Sequence, residues 1–124
     1  MAAKLDSFTE AYIACALWSS TDNQDDSGGD PLDDTYDASD LAPEAIASII
    51  EDCDAFQADN AEMLAKAGDA EQNGHDFWLT RNGHGAGFWD RGYPAAIGRT
   101  LTDAAHVYGS CDIYIGEDGK LYIQ

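Results

Sequence analysis

Basic residues are scarce in this chain. Six Lys and Arg stand against 24 Asp and Glu, a formal net charge of −18 across 124 residues. A field of that sign repels nucleic acid and anionic lipid, so direct binding to either is not expected. Paired cysteines are missing too. Cys15, Cys53 and Cys111 form an odd, widely spaced set without a C-x-x-C. That argues against a zinc knuckle and for reduced, buried thiols in a cytosolic protein. The longest apolar run, Tyr12 to Trp18, is far short of a membrane span. The opening MAAKLDSFTE lacks the basic region and apolar core of a standard signal peptide, and a cytoplasmic location is expected. No G-x-S-x-G occurs, which speaks against hydrolases of the nucleophile-elbow type.

What is present suits one globular domain over residues 1–124, with 44% apolar residues and length enough for a modest core. The acidity is uneven. Residues 1–66 carry 16 acids against Lys4 and Lys66, a net charge of −14. Residues 67–124 carry eight against Arg81, Arg91, Arg99 and Lys120, a net of −4. Such a field attracts basic surfaces, including the grooves of proteins that bind DNA or RNA. The plainer reading is solubility, or hydration in high salt.

The order of elements reads as α+β: about three helices on one face of a small antiparallel sheet made of two hairpins. Ser7 to Ser20 forms the first helix, with Ser7 and Glu10 at capping-box spacing and Phe8, Tyr12, Cys15 and Ala16 on one face. Residues 21–40, TDNQDDSGGDPLDDTYDASD, hold eight Asp and no base. Gly28, Gly29 and Pro31 forbid a regular element there, so this is an acidic loop. A calcium loop does not fit: from Asp22, the sixth residue is Ser27 and the twelfth Asp33, where an EF-hand needs Gly and Glu.

Pro43 to Ala67 reads as one long helix, opened by Pro43, closed by Gly68 as a left-handed cap, and carrying Glu51, Asp52, Asp54, Asp59 and Glu62 outward. Phe77 to Thr80 and Phe88 to Asp90 read as two short strands, joined either by an Asn82-Gly83 type I′ turn or by a longer glycine loop over Gly83, Gly85 and Gly87. On alternating strands Phe77 and Leu79 point one way and Trp78 the other, and Phe88 and Trp89 face opposite sides, which leaves at least one Trp off the core to stack on a ligand or anchor a partner. Pro94 to Tyr108 is the third helix, capped by Gly109. Cys111 to Ile115 and Lys120 to Ile123 alternate as a second hairpin.

Chemically capable residues crowd into residues 74–92, GHDFWLTRNGHGAGFWDRG. These nineteen residues hold two of three His, two of three Trp, two of three Arg and five of twelve Gly. His75, Asp76, His84 and Asp90 are the candidates for acid–base work, with a carboxylate orienting an imidazole. Two His and a carboxylate also suit iron or zinc, but the spacing matches no standard metal motif, and no cofactor is expected. Arg81 and Arg91, with backbone N–H groups freed by Gly83, Gly85 and Gly87, form a candidate anion site. The competing reading is that the two arginines pair with the acidic half and hold the domain together. The plainest is that each His caps a turn.

The 74–92 stretch resembles a motif of small uncharacterised proteins encoded in bacteriophage and plasmid genomes. The likeness extends to ALWSS near the start and DIYIGEDGKLYI near the end. That family brings no established activity, fold or catalytic residues, so the resemblance implies a setting and not a mechanism. In charge and size the chain also resembles DNA-mimic antirestriction and anti-CRISPR proteins.

Two functional expectations follow. The first is an accessory protein that binds and inhibits a basic host or phage protein, one that handles nucleic acid or serves defence. Its contacts would come from Asp22, Asp25, Asp26, Asp30, Asp33, Asp34 and Asp37 of the loop, with Glu51, Asp52 and Asp59 of the long helix. The second is a small enzyme or ligand-binding protein working through the glycine-rich motif, with the acidity serving solubility. A structural module whose motif only folds is the third possibility.

Overall fold

A computed structural model describes residues 5–19, 32, 36–83, 87–88 and 92–123. Helix α1 is Ser7–Ser19. Its cap lies one residue before the expected Ser7: Asp6 Oδ1 accepts from the Thr9 amide at 2.8 Å. A carboxylate there also complements the helix dipole. Phe8, Thr9, Tyr12, Ile13, Cys15, Ala16 and Leu17 are buried, so α1 has a core position on most of its circumference.

After a single 3₁₀ turn, Ala38–Asp40, helix α2 spans Pro43–Asp59 with Pro43 in its first turn. It does not run on to Ala67 as expected. Asn60 leaves helical geometry at φ −124°, ψ 21°, and its side-chain amide donates to the Phe56 carbonyl at 2.9 Å. A short polar side chain that bonds local backbone offers an alternative to the helical ladder. The short helix α3, Ala61–Lys66, follows. Gly68 is not a left-handed cap, since it is absent from the glycines with positive φ. The buried Asn73 does the closing: its amide donates to the Leu64 and Gly68 carbonyls and its oxygen accepts from the Gly68 N–H.

The largest departure is helix α4, Ala70–Arg81. It takes in Phe77 to Thr80, which the sequence pattern assigns to a strand. A short apolar run has no periodicity that separates a strand from a helix buried all round. Phe77, Trp78, Leu79, Thr80 and Arg81 are all buried here. Trp78 is therefore in the core, and its indole N–H donates to Ser19 Oγ at 2.7 Å, while Trp89 and Asp90 of the second expected strand lie outside the described residues. Asp69 caps the start through the Gln72 amide. Asn82 and Gly83 end the helix, with Gly83 at φ 68°, so they form a C-terminal cap and not a hairpin turn. Gly74 lets α4 lie against α1. A Cβ there would overlap the Phe8 carbonyl oxygen and stand 2.8 Å from its carbon.

Helix α5 is Ala95–His106, followed by the left-handed Gly109. Strands β1, Ile113–Ile115, and β2, Leu121–Ile123, pair antiparallel with Ile113 opposite Ile123 and Ile115 opposite Leu121. The Ala42 amide donates to the Leu121 carbonyl at 2.8 Å and ties α2 to the hairpin. The architecture is thus α+β. Among the described residues there are five α-helices and one two-stranded sheet, not three helices and two hairpins. The core is aromatic at its centre, where Phe56 and Phe77 stack at 4.0 Å with Phe8, Tyr12, Phe88 and Tyr108 around them.

Candidate functional site

Within the described motif, two places carry polar chemistry. The first is Arg81, at the last turn of α4. Its guanidinium is buried and bonds four acceptors: Gly109 O from Nε at 2.9 Å, Tyr108 O from Nη2 at 3.0 Å, and from Nη1 both Tyr12 Oη at 3.0 Å and Asp52 Oδ2 at 2.9 Å. Its carbon also lies 5.6 Å from the ring centres of Phe77 and Tyr108. Arginine presents five donors in a planar fork, so one remains after these bonds. Burial works against the cation, yet Tyr12 and Asp52 outweigh it and hold its pKa above the ordinary value.

A cavity of about 230 Å³ opens beside this node, lined by Tyr12, Ser48, Ile49, Asp52, Arg81, Ser110, Cys111 and Ile123. The Tyr12 hydroxyl meets Cys111 Sγ at 3.9 Å. Burial raises the Tyr12 phenol and the Cys111 thiol above their ordinary pKa values. The thiol is therefore held mainly in its protonated form near neutrality. The cation already faces a carboxylate, so the node joins α1, α2, α4 and the segment after α5.

The second place is His75. Its Nδ1 is shut off from solvent without a hydrogen bond and stands 3.7 Å from Oδ1 of the fully buried Asp76. Asp76 Oδ1 also accepts from Gln72 Nε2 at 3.1 Å. The outer part of the imidazole borders a groove of about 660 Å³ between α1 and α4, lined by Ser7, Glu10, Ala11, Ala14, Asp69, Glu71, Gln72 and His75. The Trp18 ring lies 6.4 Å from the His75 ring.

His84, Gly85, Asp90 and Arg91 lie outside the described residues, as do Asp22, Asp25, Asp26, Asp30, Asp33 and Asp34. Gly83 is an exposed cap and Gly87 is buried. His75 and Asp76 are adjacent, while Arg81 sits on the Asp52 side, away from the His75 groove. Asp37 caps the 3₁₀ turn through Ser39. Glu51 and Asp59 are exposed on α2, and Asp52 is committed to Arg81. Trp18, Tyr12 and Tyr108 carry both places and were not among the candidates. Trp18 sits in the apolar Tyr12–Trp18 run, where composition alone gives no sign that its last residue faces outward.

Ion pairs between described residues are His75–Asp76 and Arg81–Asp52. Glu44, Glu51, Asp54, Asp59 and Glu62 face solvent along α2 and α3. Among the described residues no group of three His, Cys, Asp or Glu is placed to hold a metal ion, and no helix is long and apolar enough to cross a membrane. No family model, curated protein or solved structure matches the chain.

Proposed function

We propose that the chain is an acidic binding protein whose partner is a basic protein, and that occupying a nucleic-acid-binding or defence factor is what it does. The observation behind this is the direction of the charge. The buried guanidinium is used inside the fold on Asp52, and the other carboxylates of α2, Glu44, Glu51, Asp54 and Asp59, are exposed with no ion pair to a described base. Glu44, Glu51, Asp54 and Asp59 span about 22 Å of helix at 1.5 Å per residue. Duplex DNA carries about one charge per 1.7 Å, so four carboxylates over that length reach about a third of its density. A DNA-like surface therefore needs the Asp-rich 21–40 segment as well. The phage or plasmid setting implied by the motif belongs to the same proposal.

The test is capture from a bacterial extract at about 50 mM salt, using the native chain and a variant carrying Glu44→Gln, Glu51→Gln, Asp54→Asn and Asp59→Asn. The expected result is a basic nucleic-acid-binding protein, displaced by added duplex DNA, and lost with the variant. Capture of no basic protein, or capture indifferent to DNA and to the four substitutions, overturns the reading.

A further inference from the structure

On the reading that the partner is basic, we propose that a Lys- or Arg-bearing helix of that partner docks in the groove between α1 and α4, with a cationic side chain over Trp18. Three separate features of this face support it. Ser7, Ala11, Ala14 and Trp18 follow a 4-3-4 spacing, which places them on one stripe of α1. This is the stripe that α1 does not bury, and its small residues leave a trough. From Ser7 to Trp18 the trough runs about 16 Å, or three helical turns. A helix laid in it would add a layer beside the closely packed α1–α4 pair, as in helix-in-groove recognition.

The second feature is Trp18, 58% exposed and one turn beyond Ala14 on the same stripe of α1. An indole face in the open costs apolar contact with water, and Trp is among the residues that dominate binding energy at interfaces. It also presents the strongest cation–π surface among side chains. Its neighbour His75 lines the groove, with its ring 6.4 Å from the indole and tilted 32° to it.

The third feature is sign. Glu10 stands on the α1 rim, Asp69 and Glu71 at the start of α4, and among the described residues no Lys or Arg lines the groove. An apolar or acidic helix would leave those carboxylates unpaired or repelled. A basic helix places ammonium or guanidinium groups against both rims and over the indole. The carboxylates set approach and orientation, while Trp18 supplies the contact that charge alone does not.

The test uses an 18-residue Ala/Lys helical peptide as probe, with an Ala/Glu peptide of equal length as control. Binding is followed by the Trp18 indole N–H in two-dimensional NMR and by calorimetry. Trp18→Ala and Ala14→Gln leave the net charge unchanged and lie at exposed positions, so thermal melts should match the native chain. Each is expected to weaken the Lys peptide at least tenfold, with the Trp18 indole shifting in the native chain and the Glu peptide silent. If the α2 variant loses the peptide while Trp18→Ala and Ala14→Gln keep it, the groove is overturned and the acidic-binding reading stands. If the native chain fails to bind the Lys peptide, the groove proposal falls, whereas the wider reading stands or falls on the capture experiment.

Discussion

Arg81 and Asp52 meet at 2.9 Å, and this pair joins the motif to the acidic half of the chain. The guanidinium is nearly closed off from solvent while the carboxylate is about one-third exposed. That asymmetry decides what each substitution does. Asp52→Ala leaves a buried cation short of its counter-charge. Breaking a fully buried pair costs about 3–5 kcal/mol, and the partial exposure of Asp52 reduces the loss to about 2–3 kcal/mol. Asp52→Asn retains an acceptor and should cost about 1 kcal/mol. Urea titrations with unchanged slope would read both values. Equal losses from the two variants would show that charge is immaterial at the pair.

Gly74→Ala tests the α1–α4 crossing. Propensity alone favours Ala by about 1 kcal/mol in a helix interior. The added Cβ would overlap the backbone of Phe8, and backbone cannot rotate aside as a side chain does. Overpacking of this kind costs about 1–3 kcal/mol or more. A lowered melting temperature is expected, and a raised one would mean that α1 and α4 separate freely.

Asn73→Ala removes three hydrogen bonds at the α3–α4 connection and leaves the Leu64 and Gly68 carbonyls without that donor. At about 1–3 kcal/mol for a buried polar group left unpaired, the loss should exceed that of an exposed Ala substitution such as Asp59→Ala. Faster amide exchange confined to Ala61–Lys66 and the start of α4 would accompany it. Identical exchange in the two proteins would deny Asn73 this role.

The hairpin gives a prediction about pH. The Tyr122 hydroxyl donates to Asp118 Oδ2 at 2.7 Å, and the Lys120 amide donates to Oδ1. These bonds, that from Tyr122 first, hold the Asp118 carboxyl below its ordinary pKa and push the Tyr122 phenol up to about 12. A depressed carboxyl adds stability above its unfolded pKa, and that stability disappears as pH falls through the folded value. Carboxyl-carbon NMR should find Asp118 titrating below the ordinary Asp value, and Tyr122→Phe should move it upward. No movement would separate the two groups.

How far the fold can be read in advance differs by element. Helix α5 and the C-terminal hairpin are legible because Gly109 and the Gly116 to Gly119 turn punctuate clear periodic patterns. Helix α1 is legible except for its cap, since Asp6 and Ser7 are both good caps and only geometry chooses between them. The stretch from Phe77 to Thr80 is not. Its short apolar run suits a strand as well as a helix, and the close passage of Gly74 along Phe8, a contact 66 residues apart in sequence, is what seats the buried turns of α4 against α1. At the site, the pairing of Arg81 with an acid from the N-terminal half follows from the shortage of bases. Its four acceptors do not, because two are carbonyls that have no side-chain signature. The outward turn of Trp18 depends likewise on which stripe of α1 the core leaves bare.

The thiols give the last prediction. Cys15, Cys53 and Cys111 are buried and none of the three is in a disulfide. Cys53 is fully enclosed, and burial pushes its thiol up to about 12. That leaves little thiolate near neutrality, and the thiolate is the reactive species. Cys111 differs because it borders the cavity beside Arg81 and is slightly exposed. A disulfide reagent added to the native chain should therefore modify Cys111 first and the other two only with unfolding. Modification at Cys111 would displace the Tyr12 hydroxyl and loosen the Arg81 node, so the singly labelled protein should melt lower than the native chain. Mass spectrometry of the first adduct decides the order. A first adduct on Cys53 would mean that α2 opens more readily than the cavity admits reagent, which would reverse the ranking of burial that holds this core together.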